Sequence, residues 1–391
     1  MVKLPEGVTL PEGVEIKEGL EGVFTSVSRI CKVDGQNGIL IYRGYNINDL
    51  AKNADYEETM YLLFHDKLPN RKEYDDFVAK LRALREVPQP VLNYLKTLNK
   101  KISPMHALRT AVSMLSDFDD NSDDLSYDNC YRISVSLNAK MATLVAAIGR
   151  IRQGLEPIAP TQHLNEAANF LYMLRGVEPG PKETEAIDMC LILHAEHGLN
   201  ASTFTAKACA SSQADFYSAT TAAIGSLKGP LHGGANTEVM EMLLEIGSVE
   251  NVEPFIMDRL QNKGKIFGFG HRVYKTIDPR AEHLKNLSKA LAEEVGNLRW
   301  YEMSMKIQEI MRREMDLKGK PIYPNVDFFS ASAYYTMGIE LEMYTPIFAL
   351  SRMSGWCAHL LEQLSDNRLI RPRLYYIGKM NLPYIPLDQR G

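Results

Sequence analysis

The sequence predicts an all-α fold with a minor β element near the N-terminus. Apolar residues recur at helical spacing through most of the chain, and almost no window after residue 47 alternates with the two-residue period of a strand. No low-complexity linker divides the 391 residues, so any second domain must be inserted within the helical body.

The first fifty residues contain the stretch that favours strands. An LPEGV repeat, rich in glycine, proline and glutamate, predicts an irregular lead-in. Residues 23–45 follow, where β-branched residues surround the turn signals Asp34-Gly35 and Asn37-Gly38, which predicts a small hairpin. From about residue 47 onward the pattern becomes helical.

Helical periodicity then continues along the chain. The predicted helices span residues 70–85, 89–98, 104–117, 127–153, 162–175 and 182–196. In the last of these, Ile187, Cys190, Leu191 and His194 follow the spacing of a single helix face, so we expect that face to be buried.

Composition argues against several classes of protein. The net charge of -5 argues against a general nucleic-acid or membrane-surface binder, because those proteins need broad basic faces. The five cysteines are scattered and form no C-x-x-C pair, which is typical of reduced thiols rather than of a disulfide framework or a zinc ribbon. With no signal-peptide pattern and no apolar run of about 18 residues, we expect a soluble, cytoplasmic protein.

Three histidines lie where helices start or stop, which is where rigid scaffolds commonly place catalytic groups. They are His197 in HAEHGLNAST, His232 in KGPLHGGAN and His271 in GFGHRVYKTIDPR. Gly233-Gly234 places His232 just ahead of a helix that Asn236 could cap, and the helix dipole there disfavours the imidazolium. A neutral ring could donate a hydrogen bond to a carbonyl oxygen; a packing histidine in a tight turn is the alternative.

A carboxylate and a guanidinium stand out in the C-terminal part. Asp327 lies in the first turn of a helix that begins near Val326. It could be a simple partner of the helix dipole, or a base whose pKa is raised by burial. Arg352 lies in an apolar helix with no acid three or four residues away, so it needs a distant carboxylate or a ligand anion. The segment NRLIRPRL adds a basic cluster, of a kind more often solvated than functional: Arg368, Arg371 and Arg373.

The stretch GFGHRVYKTIDPR, residues 268–280, concentrates three cations beside His271 in a mildly acidic chain. Local clusters of this kind allow an acidic protein to meet an anionic partner. Metal binding is the competing interpretation, with zinc held by His194, His197, His232, His271 and Asp327. The sequence has no H-E-x-x-H motif, and its abundant arginines favour anionic organic ligands.

Taken in order, these motifs resemble the citrate synthase family. The resemblance is carried by GPLHGGAN (229–236), GFGHRVYKTIDPR (268–280), PNVDFFSA (324–331) and the segments around Arg352 and Arg371, and it covers about residues 20–380. It implies an almost entirely helical fold with a large domain, residues 1–228 and 332–391, and a small domain, residues 229–331, that closes over a cleft. It also implies a homodimer, for which residues 219–229 could supply close helix contacts.

The resemblance further implies a role for each site residue. Asp327 resembles the base that removes a methyl proton from acetyl-CoA, His232 the donor to the thioester oxygen, and His271 the donor to the oxaloacetate carbonyl. The residues that resemble oxaloacetate ligands are His197, Arg280, Arg352 and Arg371, the last reaching into the neighbouring subunit's site. Those that resemble or lie beside contacts to the coenzyme's phosphates are Arg272, Lys275 and Lys320. Ser202 could orient His232.

The implied reaction condenses acetyl-CoA with oxaloacetate and water to give citrate and CoA, with no permanently bound cofactor and no metal. 2-Methylcitrate synthase, which uses propionyl-CoA, shares every motif quoted, and one methylene is worth only about 1–3 kcal/mol of discrimination. A metal-dependent hydrolase and a non-catalytic CoA-binding protein are the alternatives from other classes.

Overall fold

The fold is almost entirely helical, as the sequence predicts. The structure, a computed structural model, describes residues 10–271, 273–320 and 322–391. The α-helices within these residues are α1 (Ile47–Asn53), α2 (Tyr56–His65), α3 (Arg71–Ala83), α4 (Gln89–Thr97), α5 (Pro104–Met114), α6 (Tyr127–Gln153), α7 (Glu166–Arg175), α8 (Pro181–His194), α9 (Ala201–Ala210), α10 (Phe216–Leu227), α11 (Ala235–Ile246), α12 (Val252–Gln261), α13 (Pro279–Glu294), α14 (Arg299–Leu317), α15 (Val326–Thr336) and α16 (Tyr344–Ser365). The strands are β1 (Cys31–Asp34), β2 (Ile39–Tyr42) and β3 (Tyr45–Asn46).

The predicted elements are confirmed to within a few residues. The helix predicted over residues 162–175 begins later, at Glu166, because the Asn165 side chain caps it by accepting the Ala168 N–H at 2.9 Å. The predicted hairpin consists of β1 and β2, which pair antiparallel with Cys31 opposite Tyr42, and β3 adds an edge strand.

Two long helices form the centre of the core. Most residues of α6 and α16 are buried, and α16 packs against α6, α8 and α9. A helix that is buried on all sides must have its polar side chains satisfied within the protein. Arg352 and His359, both buried in α16, therefore need partners on neighbouring elements.

The helices between residues 235 and 336 pack on one another. In particular α13 packs along α15, and the Ser288 and Ser332 hydroxyls of these two helices lie 2.8 Å apart. This packing brings the N-terminal ends of α13 and α15, with the residues they carry, into one region. Residues 229–331 belong to the same compact unit as the rest of the helical body, and their separate movement as a small domain stays a prediction.

The chain forms two compact units. One is Arg29–Leu369; the other consists of the described residues up to Ser28 together with Ile370–Gly391. The second unit is largely irregular, with two short 3₁₀ turns, and it exposes large apolar side chains that include Phe24, Val27 and Tyr384. No helix among the described residues is long and apolar enough to cross a membrane.

Candidate active site

The loop that carries His271 pairs with the segment leading into α15. The Gly270 N–H donates to the Tyr323 carbonyl and the Asn325 N–H donates to the Gly268 carbonyl, both at 2.9 Å. Gly268 and Gly270 have φ values of 77° and 81°, a conformation that favours glycine. The two glycines therefore bend the backbone around His271 and hold it beside the start of α15.

His271 is held as a neutral donor. Its Nδ1 accepts the backbone N–H groups of Val273 and Tyr274 at 3.0 and 3.2 Å. Because a backbone N–H can only donate, the ring proton lies on Nε2. Burial, with the nearby charge of Arg280, lowers the pKa of His271 to about 4. The ring is therefore uncharged at neutral pH, and Nε2–H remains available to a ligand.

His232 is held in the opposite tautomer. It lies in the turn before α11, where its Nε2 is 2.8 Å from the Ser202 hydroxyl and accepts the Ser202 backbone N–H at 3.3 Å. The proton is therefore on Nδ1. Trp356 donates its indole N–H to the same hydroxyl at 3.1 Å, which fixes Ser202 in turn. Burial, with the charge of Arg352, lowers the pKa of His232 to about 4, so this ring is also neutral.

The turn around His232 depends on close backbone approach. A Cβ added at Gly233 would lie 2.3 Å from the Leu227 carbonyl oxygen. The prediction that Asn236 caps the following helix is wrong. The tight turn lets α11 begin at Ala235, with Gly234 at the cap position, and Asn236 is buried inside the helix.

Asp327 lies in the first turn of α15, as predicted. The Asn325 side chain caps this helix by accepting the Asp327 N–H at 3.0 Å. Burial raises the pKa of Asp327 to about 6, although the charges of Arg280 and Arg352 oppose the shift. A carboxylate with such a pKa is ionised at neutral pH and is still a useful proton acceptor, which favours a base over a simple dipole partner.

Arg280 projects from the first turn of α13 and is buried. Its Nε and Nη2 donate to the two carboxylate oxygens of Asp278 at 2.9 and 2.8 Å. Burial alone would raise the pKa of Asp278, but Arg280 outweighs it and the pKa lies below its usual range. Asp278 thus fixes one edge of the guanidinium and leaves Nη1 outside the pair.

Arg352 also reaches this region. Its Nε donates to the His194 carbonyl at 2.7 Å, and its guanidinium stacks 4.8 Å from the centre of the Phe348 ring. Burial lowers the pKa of Arg352, while the negative charge of Glu196 opposes the shift. No ion pair within 4.0 Å forms between Arg352 and another described residue, so its remaining N–H groups suit an anionic ligand.

His197 completes the group of neutral imidazoles. Its Nε2 lies 3.2 Å from the Tyr274 hydroxyl, and its ring centre lies 5.2 Å from that of His271. Burial, with the charges of Arg280 and Arg352, moves the pKa of His197 well below its usual value. The structure therefore brings together His197, His271 and Arg280, and the charges of Arg280 and Arg352 both act on Asp327.

The candidate coenzyme contacts that the structure describes lie on the protein surface. Lys275 is exposed and borders a cavity of about 180 Å³ that also reaches His271. Lys320 is exposed after α14. Arg371, a predicted oxaloacetate ligand, is exposed in the C-terminal segment of the other compact unit. Arg272 lies outside the described residues. Among the described part of the chain, no group of three or more His, Cys, Asp or Glu side chains could hold a metal ion.

The hairpin turn between β1 and β2 supports the His271 loop. The Lys275 N–H donates to the Gly35 carbonyl at 2.8 Å, and a Cβ added at Gly35 would lie 2.1 Å from the Val273 carbonyl oxygen. Gly35→Ala is therefore expected to displace the backbone that anchors His271 and to lower kcat by about tenfold or more, since small misplacements at an active site cost that much. Steady-state kinetics would measure the loss.

Gly180→Ala is the matched control for Gly35→Ala. A Cβ at Gly180 would meet nothing within 4 Å, and this residue precedes α8, away from the His271 loop. The control should keep the kcat of the unaltered chain. Equal kinetics for Gly35→Ala and the control would contradict a supporting role for the hairpin turn.

Several residues of this site are not predicted from the spacing of residues in the sequence. Asp278 carries a local signal, since an acid before a proline at a helix start predicts an N-cap. Glu196 and Tyr274 lie inside the quoted motifs but have no pattern that marks their partners. Trp356 and His359 lie in α16 and contact Ser202 and Glu196 far away in sequence. No local signal could have found these two.

Comparisons with known proteins identify relatives along nearly the whole chain. The family model described as citrate synthase, C-terminal domain, matches residues 19–373. Citrate synthase 2 of Bacillus subtilis is 50% identical over 373 residues, covering 95% of this chain and 98% of its own. The citrate/2-methylcitrate synthase of the same organism is 40% identical over 360 residues, covering 92% and 95%.

A solved structure shows the same fold. It is the ternary complex of citrate synthase from the thermophilic archaeon Thermoplasma acidophilum with carboxymethyl coenzyme A and oxaloacetate, and it is similar at a TM-score of 0.90. The sequence identity is 33%, and the similarity covers 96% of this chain and all of that one. The chain described here therefore belongs to the citrate synthase family of acyltransferases.

Proposed function

We propose that the chain condenses acetyl-CoA with oxaloacetate and water, releasing citrate and CoA. Asp327 takes a proton from the acetyl methyl group while His232 donates a hydrogen bond to the thioester oxygen. The resulting enolate attacks the ketone carbon of oxaloacetate, and His271 donates a hydrogen bond to the carbonyl oxygen as it gains charge. Water then cleaves the citryl thioester and CoA leaves as the thiol.

The observation that carries this proposal is the pair of opposite tautomers at His232 and His271. Each ring is neutral and keeps one N–H without an acceptor among the described residues, Nδ1–H in His232 and Nε2–H in His271. A carboxylate such as Asp327 removes a weakly acidic proton only if the developing enolate oxygen is stabilised as it forms. Two neutral donors with one base match that requirement.

We propose that oxaloacetate is held by His197, Arg280 and Arg352 and by Arg371 of the neighbouring subunit in a homodimer. Two guanidinium groups can each bind a carboxylate through paired hydrogen bonds, which suits a dicarboxylate. The exposed apolar side chains of the C-terminal segment, such as Leu374 and Tyr384, support a partner surface there.

The proposal also covers the binding of acetyl-CoA and the closure of the small domain. Lys275 and Lys320, with Arg272, would meet the phosphates of acetyl-CoA, and residues 229–331 would close over the bound substrates and exclude water. We propose a cytoplasmic location, in which the five cysteines, free in this structure, stay reduced.

The ionisation of Asp327 sets an expected acid limb of activity. Since the pKa of Asp327 lies at about 6 and the base must be ionised, kcat/KM should fall about tenfold for each pH unit below about 6. The pKa of His232 and that of His271, both at about 4, keep these rings neutral across that range. A pH–rate profile that is flat down to pH 5 would contradict Asp327 as the base.

A thiol-release assay tests the reaction itself. With oxaloacetate present, acetyl-CoA should yield free CoA, and the initial rate should be unchanged by a chelator. A propionyl-CoA arm tests the related activity named for the Bacillus relative. Release of CoA from neither donor would show that the proposed function is wrong, and a higher kcat/KM with propionyl-CoA would reassign the acyl substrate.

A further inference from the structure

A buried carboxylate and imidazole lie directly behind the residues proposed to hold oxaloacetate. Glu196 and His359 have no more than 2% of their surface exposed. The Nε2 of His359 lies 2.9 Å from Glu196 Oε1. Neither residue reaches the cleft, so any contribution to the reaction must pass through a neighbour.

Glu196 fixes the turn that carries His197. Its Oε1 accepts the Gly198 N–H at 2.5 Å, so the carboxylate closes a loop around the residue between them. The Tyr42 hydroxyl donates to the Glu196 carbonyl at 2.7 Å and accepts the Glu196 N–H at 3.2 Å. Both peptide groups of residue 196 and the N–H of residue 198 are thereby fixed, which leaves the His197 backbone little freedom.

His359 in turn holds the carboxylate in place. Burial alone would raise the pKa of Glu196, but its interaction with His359 outweighs burial, with help from Arg352, and the pKa lies below its usual range. Glu196 is thus ionised and lies close enough to oppose the lowering of the Arg352 pKa. The same carboxylate therefore acts on two proposed oxaloacetate ligands.

The arrangement is costly for stability. Glu196 Oε2 is buried and has no hydrogen-bond partner among the described residues, and a buried, unsatisfied charged oxygen destabilises a fold. Around the pair lie Arg352, Glu362 and Lys207, whose charges are also buried or partly buried. A packed apolar pair of the same volume would serve the core better, so a purely structural role does not account for it.

We propose that Glu196 and His359 form a buried positioning pair for oxaloacetate binding, in which His359 holds the Glu196 carboxylate and the carboxylate holds the turn that presents His197. The inference rests on the proposed function, because it takes His197 as an oxaloacetate ligand.

Two substitutions of His359 test the pair. His359→Leu removes the donor and should raise KM for oxaloacetate about tenfold or more, the size expected when a charge-assisted hydrogen bond supporting a binding residue is lost. KM for acetyl-CoA should stay within about twofold, since His197 is proposed to bind oxaloacetate and not acetyl-CoA. His359→Gln restores an amide donor near the position of Nε2 and should recover most of the affinity.

Further variants separate positioning from stability. Glu166→Gln alters another buried ion pair, with Arg85 at 3.0 Å, and should lower the melting temperature without changing either KM. Should His359→Leu not fold, Tyr42→Phe removes the hydroxyl that clamps residue 196 and should raise KM for oxaloacetate selectively.

The outcomes distinguish the two claims. Unchanged KM for oxaloacetate in the folded variants, or equal increases in both KM values without rescue by glutamine, would overturn the positioning pair. Absence of CoA release by the unaltered chain would instead refute the proposed reaction, and calorimetric titration with oxaloacetate would then still show whether His359→Leu weakens its binding.

Discussion

Asp327→Asn is expected to lower kcat by about 10²–10⁴-fold, the range that a positioned general base contributes. The substitution keeps the shape of the side chain and leaves the Asn325 cap intact, because that cap accepts the backbone N–H of residue 327. It removes only the carboxylate that is proposed to accept the methyl proton. Initial rates of CoA release at saturating oxaloacetate would measure the effect.

The stability of Asp327→Asn should move in the opposite direction. A carboxyl whose pKa rises on folding contributes its full stability only below its unfolded pKa, and that contribution is lost as pH rises through about 6. A neutral amide does not ionise, so the variant should be at least as stable as the unaltered chain at pH 7–8. Lower stability together with lower activity would indicate a structural role instead.

Asp128→Asn provides the control for this substitution. Asp128 is also a first-turn acid, at the start of α6, but it is exposed. Its replacement removes a favourable dipole contact worth about 0.3–1 kcal/mol and should leave kcat unchanged. Retained oxaloacetate binding by Asp327→Asn, measured by calorimetry, would separate the loss of the base from the loss of the site.

Gly355→Ala is expected to destabilise the fold although alanine favours helices. In an open helix interior this change would gain about 1 kcal/mol. Here an added Cβ would lie 2.3 Å from both the Ala195 carbonyl oxygen and Glu196 Oε2. The Ala195 backbone can move away only at a cost in free energy. We therefore expect a net loss of about 1–3 kcal/mol in the free energy of unfolding, measured by urea denaturation.

Gly149→Ala is the comparison for Gly355→Ala. Gly149 is also buried within a helix, α6, but its added Cβ would meet the flexible ends of Leu174 at 2.7 Å and Met343 at 3.3 Å. These side chains can rotate, so the loss should be smaller. A Gly355→Ala chain as stable as Gly149→Ala would show that α16 and the turn after α8 separate without cost.

The sequence predicts most of the helices because their signals are local. The 27 residues of α6 match the predicted range of 127–153, since a long periodic segment is read from its own residues. The predicted start positions of helices are less accurate, as α7 and α11 show. In α7 the cap at Asn165 delays the start, and in α11 the Gly233-Gly234 turn replaces the expected Asn236 cap.

For the candidate site, the sequence predicts the positions of single residues, whereas the structure is needed to show their partners. The helix start at Asp327 and the turn at His232 follow from spacing, whereas their chemical roles follow from resemblance to a family. The sequence predicts that Arg352 needs an anion, but the nearby negative charge of Glu196 becomes evident only in the folded chain. Such partners lie 150 or more residues apart, as with Glu196 and His359, and only the folded chain brings them together.

The contact between the β1–β2 turn and the His271 loop bears on the order of folding. Gly35 is among the first described residues to leave the ribosome, and Lys275, which donates to it, follows most of the helical body. Contacts between residues so far apart in sequence form late, because a long loop must close first. The His271 loop therefore takes its final shape only when this long loop closes, after the local helices of the chain have formed.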